Sequence, residues 1–323
     1  MSTLQANFLS AIQGKLLVLA FSLFWVSLPS ALAEYPSRPI RVIVPTDPGG
    51  SMDVVARTIS RTIEEAQLLD TKMVVINQPG AGGTIGTRRI RNADPDGYTI
   101  GLWHQGLVTS NAMKIVDYDH TAFEIIGSIG YTEAGIGTGP RSGIERFSDI
   151  IERSKTGPIK FATNIGLPVH VVPMIFAQES GVEFQFIQVG GGSQRLSSIL
   201  GGHTDLGIFS ALDFSNFDEA GIRPIVFFSS ERIPQYPNTP TAPEMGIDFS
   251  YHTLYIWIAP LELPRSIKET LTTALKRASE NEQVVDYLQS LGLTPHFQLG
   301  AEIEEELNDI RDRAAPLIQQ MRR

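Results

Sequence analysis

Short apolar runs alternate with segments of helical periodicity along the chain. Residues 40–44 form an apolar run that predicts a buried strand, and Val54, Val55, Ile59 and Ile63 follow at helical spacing. Such alternation is typical of parallel sheets with helices on both faces, so we expect an α/β fold. The further predicted strands are residues 73–76, 98–103, 125–129, 159–162, 184–189, 206–209, 223–228 and 255–259. The predicted helices that close the chain are 266–278, 282–291 and 301–321.

Glycine-rich turns follow three of the predicted strands. They are Gly49-Gly50, Gly166 and residues 190–192. In parallel sheets, ligands bind at the carboxyl ends of strands near a topological switch point. The first turn belongs to the early half of the chain and the other two to the later half, which predicts two lobes with a ligand cleft between them. Residues 135–140 are also glycine-rich, and we interpret them as a hinge.

The turn at Gly49 and Gly50 has the features of an anion site. Ser51 is the predicted N-cap of the following helix, and the glycines allow a ligand to approach the backbone closely. Free N–H groups and the positive end of the helix dipole then point to one place. The alternative is a turn that only reverses the chain. We expect backbone N–H groups and the Ser51 hydroxyl to hold a carboxylate.

Composition limits the classes of partner. The chain has 323 residues, of which 42% are hydrophobic and 19% charged, a globular balance with enough length for two lobes. The net charge of −9 argues against a nucleic-acid partner, because phosphate neutralisation needs a basic surface. The chain contains no cysteine, so neither disulfides nor thiolate chemistry are expected.

The amino-terminal residues resemble a secretory signal. An apolar stretch covers residues 16–28, Lys15 precedes it, and Ala31-Leu32-Ala33 has the A-x-A pattern of a cleavage site. A retained membrane anchor is the alternative, although the stretch is shorter than the ~20 residues that span a bilayer. We expect cleavage after Ala33 and a periplasmic protein.

Sequence patterns of enzymes and cofactor sites are missing. There is no G-x-S-x-G or H-E-x-x-H, and the six histidines are scattered. Residues 80–86 resemble a dinucleotide loop, but the spacing is one residue off and the acidic ribose partner is missing. We interpret that loop as a turn at a helix start. The sequence therefore predicts no metal, no cofactor and no catalytic residues, and an exported hydrolase is a rival interpretation.

Seven short motifs together resemble one family, the Bug-type solute-binding receptors of tripartite tricarboxylate transporters. They occur in family order and cover nearly the whole mature chain. The motifs are Tyr35-Pro36-Ser37-Arg38-Pro39-Ile40, the loop from Pro45 to Asp53, Pro79-Gly80-Ala81-Gly82-Gly83, Asp94-Pro95-Asp96-Gly97-Tyr98-Thr99, Gly166 with His170, Leu200-Gly201-Gly202 with Asp205, and Pro240-Thr241 with Glu244 and Gly246.

The resemblance implies a fold, a function and partners. The fold would be the two-lobe periplasmic-binding-protein (type II) fold, with residues 34–136 and 255–323 in lobe 1 and 137–254 in lobe 2. The protein would be a monomeric receptor that captures a small organic carboxylate by lobe closure and delivers it unchanged to membrane permease subunits. A subunit that presents its ligand to a membrane sensor kinase is the rival function.

The chain departs from the family pattern at the expected ligand site. Thr46 stands where the family usually has an aromatic residue, Asp47 where it has proline, and Met52 where it has threonine. Residues 188–191 replace Pro-Tyr-Lys-Gly, and Leu167 replaces serine. The loss of aromatic bulk predicts a wider pocket, and we expect an aromatic or larger carboxylate, including dicarboxylates.

The candidate ligand-binding residues lie in the three glycine turns and the helix starts after them. Those after the first strand are Thr46, Asp47, Gly49, Gly50, Ser51 and Met52. Those in the later half are Asn164, Gly166, His170, Gly191, Gly192, Ser193 and Arg195.

Some residues in and near these turns have other expected or alternative roles. Asp53 and Asp205 are expected to hold their loops rather than to bind ligand, since a carboxylate would repel a bound anion. Asp47 either accepts from a ligand hydroxyl or amine or points to solvent. His170 is either a ligand contact or a packed histidine. Arg195 stands where the family usually has a small residue, and it either pairs with a second carboxylate or lies solvated on the helix surface.

Overall fold

The computed structural model describes residues 35–321, with side chains to residue 312. The predicted signal sequence and its cleavage site, residues 1–33, lie outside the described residues. None of the helices in the described part of the chain combines the length and the hydropathy of a membrane span.

Strands and helices alternate, as the apolar pattern predicts. The strands are β1 (Ile40–Val44), β2 (Met73–Asn77), β3 (Thr99–Trp103), β4 (Phe123–Thr138), β5 (Ile159–Thr163), β6 (Phe184–Gln188), β7 (Leu206–Ser210), β8 (Arg223–Phe227), β9 (His252–Pro260) and β10 (Leu293–Leu299). The helices are α1 (Ser51–Glu65), α2 (Thr84–Arg91), α3 (Gly106–Ala112), α4 (Phe147–Ser154), α5 (Pro168–Ser180), α6 (Gly192–Leu200), α7 (Ala211–Asn216), α8 (Arg265–Ser279), α9 (Glu282–Ser290) and α10 (Gly300–Met321).

The long strand β4 joins two sheet regions. Its first part pairs with β9 and β10, and β9 continues through β3 to β1 and β2. From Ala134 onward β4 pairs with β7 and β8, and β7 continues to β5 and β6. Each region has its own buried core, one around Trp103 and Ile256 and the other around Phe161 and Phe228. The chain therefore has the two-lobe α/β fold, and the lobe boundaries stay a prediction.

The sheet is mixed rather than parallel throughout. Pairs among β1, β2 and β3 and among β5, β6 and β7 are parallel. The pairs of β4 with its neighbours and of β3 with β9 are antiparallel. The expectation of parallel sheets therefore holds only for the outer parts of each region, because the strands that connect the regions run the opposite way.

Most of the segment interpreted as a hinge, residues 135–140, is strand, and its role as a hinge stays a prediction. Gly135 to Thr138 form the end of β4 and pair with β7 on one side and β8 on the other. Glycine is needed here because a Cβ on Gly135 would lie 2.6 Å from the Val226 carbonyl oxygen. Close approach of a neighbouring strand, rather than flexibility, explains this glycine.

Candidate functional site

A cavity of about 290 Å³ lies where the carboxyl ends of β1, β3, β5, β6 and β7 meet. Its walls come from both sheet regions, which is the location expected for a ligand in this class of fold. Nine of the predicted ligand-binding residues line it. They are Thr46, Asp47, Gly50, Ser51, Met52, Asn164, Gly191, Gly192 and Arg195.

Four predicted residues are not part of the cavity wall. Gly49 has a φ of +85° and its N–H donates to Asp53 Oδ2 at 3.0 Å, so it shapes the turn. Gly166 has a φ of +90°, and a Cβ there would lie 2.6 Å from Ile115. The Ser193 hydroxyl donates to the Pro48 carbonyl at 2.9 Å and so joins the two turns. His170 is the fourth.

His170 is a packed side chain in this structure. It is 9% exposed, and its ring meets the Phe186 ring edge-on with centroids 5.1 Å apart. Burial lowers the pKa of His170, which keeps the imidazole neutral at neutral pH. The neighbouring Asn164 does reach the cavity, and its Oδ1 accepts from Gln188 Nε2 at 2.9 Å. A ligand role for His170 therefore stays a prediction, and the observed contacts are those of a core residue.

The start of α1 differs from the prediction in two ways: the N-cap is one residue earlier than Ser51, and the Ser51 N–H is already hydrogen-bonded. Gly50 is the N-cap, with φ of −86° and ψ of 172°, and Ser51 is the first helical residue. The Ser51 N–H donates to Asp213 Oδ1 at 2.8 Å, so a carboxylate of the protein occupies a donor that the sequence assigns to ligand. The Thr46 hydroxyl beside it is buried and has no hydrogen-bond partner among the described residues.

Asp53 and Asp205 anchor backbone segments. Asp53 accepts hydrogen bonds from Arg57, the Gly49 N–H and Asn77. Burial alone would raise the pKa of Asp53, but these donors hold it below its ordinary value. Asp205 Oδ2 accepts from the Lys160 N–H at 3.1 Å at the start of β5. Neither residue is part of the cavity wall.

The interpretation of Arg195 as a solvated residue is wrong. Arg195 is 6% exposed and lines the cavity. Nε donates to the Ile208 carbonyl at 3.1 Å and Nη1 to the Gly190 carbonyl at 2.9 Å, while Nη2 makes no hydrogen bond to another described residue. Burial lowers the pKa of Arg195, and the Asp213 charge opposes that shift. A guanidinium remains protonated in proteins, so the cavity contains a fixed positive charge.

His104 is a cavity residue that no sequence pattern indicated. It follows β3 and stacks on Trp103 with ring centroids 4.1 Å apart. The Gly106 N–H donates to Nδ1 at 2.8 Å, so Nδ1 is unprotonated and the proton of the neutral ring is on Nε2. Burial and the charge of Arg195 lower the pKa of His104 to about 3. His104 therefore offers a neutral N–H donor.

Asp213 is the second missed residue. It is 5% exposed, lines the cavity and forms a capping box with Ser210 at the start of α7. The S-x-x-D spacing of that box is visible in the sequence, but its burial against α1 is not. Tyr251 and Thr253 complete this wall.

The site is suited to recognition by charge and hydrogen bonds. It combines one guanidinium, one neutral imidazole donor and the N–H groups at the start of α6, which has no side-chain cap, and such groups recognise carboxylates. No group of three or more histidine, aspartate or glutamate side chains in residues 35–312 forms a metal-binding arrangement.

The model of the tripartite tricarboxylate transporter family receptor matches residues 55–322. The chain belongs to this family. Its members are periplasmic solute-binding receptors rather than enzymes, and the Bug proteins are among them. The resemblance drawn from the seven motifs is therefore confirmed.

Two relatives illustrate the likeness in sequence. A UPF0065 protein of Pseudomonas sp. strain P51, from the tcbD-tcbE intergenic region, is 30% identical over 273 residues, which are 81% of this chain and 80% of that protein. Protein BugT of Bordetella pertussis is 28% identical over 284 residues, 84% of this chain and 85% of BugT.

Solved structures share the fold over at least 98% of their own chains. The periplasmic binding protein BugD has a TM-score of 0.83 at 25% identity, with 88% of this chain and 98% of BugD covered. MatC from Rhodopseudomonas palustris with bound malate has a TM-score of 0.79 at 22% identity, covering 88% of this chain and 100% of MatC. Another R. palustris protein, solved with adipate, has a TM-score of 0.82 at 21% identity and coverage of 88% and 99%.

Proposed function

We propose that this protein is a periplasmic receptor that binds a small organic carboxylate in the cavity and delivers it to the permease subunits of a tripartite tricarboxylate transporter. Arg195 carries the proposal, because a buried guanidinium with an unused Nη2 in the cavity wall needs an acceptor. His104 Nε2–H and the first-turn N–H groups of α6 supply further donors.

Family relationships support the carboxylate class. Two structures with the same fold contain malate and adipate, and both are small carboxylates. The sequence expectation of an aromatic or larger acid is part of this proposal, and Trp103 and Tyr251 in the cavity wall are suitable contacts for an aromatic ring.

Export and the permease partner belong to the proposal as well. The proposed signal sequence is removed after Ala33, and the mature receptor acts as a monomer. Lobe closure around the ligand would commit it to transport, as in other two-lobe binding proteins. The intact mass of the exported protein tests the cleavage. A mass that includes residues 1–33 would contradict it.

A thermal-shift screen of the purified protein tests the function. The panel contains mono-, di-, hydroxy-, amino- and aromatic carboxylates, with the corresponding amides as controls without charge. We expect at least one carboxylate to raise the melting temperature and to be recovered unchanged. We also expect a deletion strain to lose uptake of that compound. A panel without any response, or conversion of the compound, would contradict the proposal.

A further inference from the structure

Two buried side chains of opposite charge face the same part of the cavity. Arg195 is 6% exposed and Asp213 is 5% exposed, and both belong to the cavity wall. They interact through space, because the Asp213 carboxylate favours the protonated form of Arg195. Yet Arg195 makes no direct ion pair with any described residue, and its hydrogen bonds go to backbone carbonyls. The two charges are therefore separated by a gap.

That gap lies at the beginning of α6. A methyl-sized group on the Cα of Gly192 would lie 3.6 Å from Asp213 Oδ1 and 3.9 Å from Arg195 Nη2. Both charged groups thus border one small volume. A ligand with a positive and a negative group on neighbouring atoms would reach both of them from that volume.

Both side chains retain hydrogen-bonding capacity. Arg195 Nη2 has no partner among the described residues, while Nε and Nη1 hold the guanidinium in place. Asp213 Oδ1 accepts one backbone N–H, from Ser51, and Oδ2 accepts one, from Ser210. Since each carboxylate oxygen has two acceptor sites, Asp213 can accept two more hydrogen bonds.

The charges in the cavity disfavour a ligand that is only anionic. Asp213 already occupies the Ser51 N–H at the start of α1, where a helix would otherwise attract an anion. Asp47 adds a second carboxylate, and Arg195 is the sole cationic side chain among the described lining residues. A buried charge without a partner is costly, so a ligand that pairs with both Arg195 and Asp213 is favoured over one that pairs with Arg195 alone.

We propose that the ligand is an α-amino carboxylate, whose carboxylate binds Arg195 and the Nε2–H of His104 and whose ammonium group donates to Asp213. This assignment rests on the proposed function and narrows its ligand class. The remainder of the ligand contacts the apolar part of the cavity lining, which includes Trp103, Leu167 and Tyr251.

A matched ligand series on the unaltered protein tests the assignment. Phenylalanine, 3-phenyllactate and 3-phenylpropanoate differ only in the substituent next to the carboxylate, which is an ammonium group, a hydroxyl or hydrogen. Leucine and its two analogues form a second series, and malate and adipate represent plain diacids. We expect calorimetric affinity to fall in the order amino, hydroxy, unsubstituted, with at least a tenfold difference between the first and the last.

Variants connect this order to the two charges. Asp213→Asn should lower the affinity for the amino acid at least tenfold and leave that for the unsubstituted acid equal or higher. Arg195→Gln should weaken every member of the series. Asp218→Asn is the matched control, because it removes the same charge from an exposed residue near the end of α7 and should preserve the order.

The outcomes separate this inference from the proposed function. If malate, adipate or the unsubstituted acids bind more tightly than the amino acids, the assignment is overturned and the receptor function stands. An unchanged preference in Asp213→Asn also overturns it. If no carboxylate of any kind binds, the proposed function fails and the assignment fails with it. The ligand series on the unaltered protein tests the assignment even if a variant does not fold.

Discussion

Gly50 is the residue at which access to the cavity can be tested without disturbing the fold. Its φ of −86° and ψ of 172° suit any residue, and an added Cβ would have no atom within 4 Å. Gly50→Val should therefore fold normally, with a free energy of unfolding within about 1 kcal/mol of the parent. The valine side chain would occupy ligand space, so we expect the thermal-shift response to carboxylates to disappear. A full response in this variant would contradict the placement of the site.

His104 predicts a pH dependence of stability. Its folded-state pKa is about 3, below the ordinary value of about 6.5. Between these values the unfolded chain binds a proton that the folded chain does not, so the stability from the neutral ring is complete above about pH 6.5 and is lost as the pH falls toward 3. This residue alone should lower the free energy of unfolding by up to about 1.4 kcal/mol per pH unit in that interval.

The comparison of the parent with His104→Gln isolates this effect. Glutamine keeps an acceptor for the Gly106 N–H, and the other buried histidines, His120 and His170, are present in both proteins. Urea unfolding between about pH 4.5 and 7.5 should show the parent losing stability faster than the variant as the pH falls. Parallel curves for the two proteins would contradict the lowered pKa, because they would show that His104 takes up its proton equally readily in the folded and the unfolded chain.

The sequence predicts which residues line the cavity at strand ends, but it does not predict which side chains from the following helices are buried there. Gly50, Asn164 and Gly191 follow directly from the rule that ligands lie at the carboxyl ends of parallel strands. His104 also follows a strand, but no glycine turn marks it. The burial of Arg195 and Asp213 depends on β7 and α7 lying beside α6 and α1, and a pattern of single residues does not contain that information.

A glycine before α2 supports one wall of the cavity. Gly83 precedes α2 with a φ of +78°, and a Cβ there would collide with the Trp103 ring. Gly83→Ala should cost about 2–4 kcal/mol from backbone strain and overpacking together. It should also change Trp103 fluorescence, because the indole must move.

Gly246→Ala is a matched control for that experiment. Gly246 has a φ of +80°, and a Cβ there would meet no atom within 4 Å. This variant should lose only the stability that corresponds to backbone strain, about 1–2 kcal/mol of the free energy of unfolding. Urea unfolding of both variants measures the difference in the free energy of unfolding. Equal losses of stability would show that Trp103 moves aside without destabilising the protein.

The elements that the sequence did not predict are short or contain proline. β10 includes Pro295 and lacks a run of β-branched residues, so its pairing with β4 decides its conformation. α3 and α7 have only seven and six residues, too few to show a helical period. In contrast, β1 and α1 combine a buried apolar run with a long amphipathic segment, and both were predicted.

Two hydrogen bonds connect turns from the two sheet regions across the cavity. The Ser193 hydroxyl donates to the Pro48 carbonyl at 2.9 Å, and the Ser51 N–H donates to Asp213 Oδ1 at 2.8 Å. We expect ligand binding to favour this closed arrangement, since a ligand stabilises the state in which it contacts both regions. Small-angle scattering should show a smaller radius of gyration with ligand than without it. Identical scattering at saturation would contradict closure by the ligand.

Binding of a carboxylate in the cavity between the two sheet regions can be observed directly. The experiment is a crystal structure of the protein with the compound that gives the largest thermal shift in the carboxylate panel. We expect a carboxylate oxygen within hydrogen-bonding distance of Arg195 Nη2, between the turns at Gly50 and Gly191. A ligand bound elsewhere on the protein, with this cavity filled only by water, would contradict it.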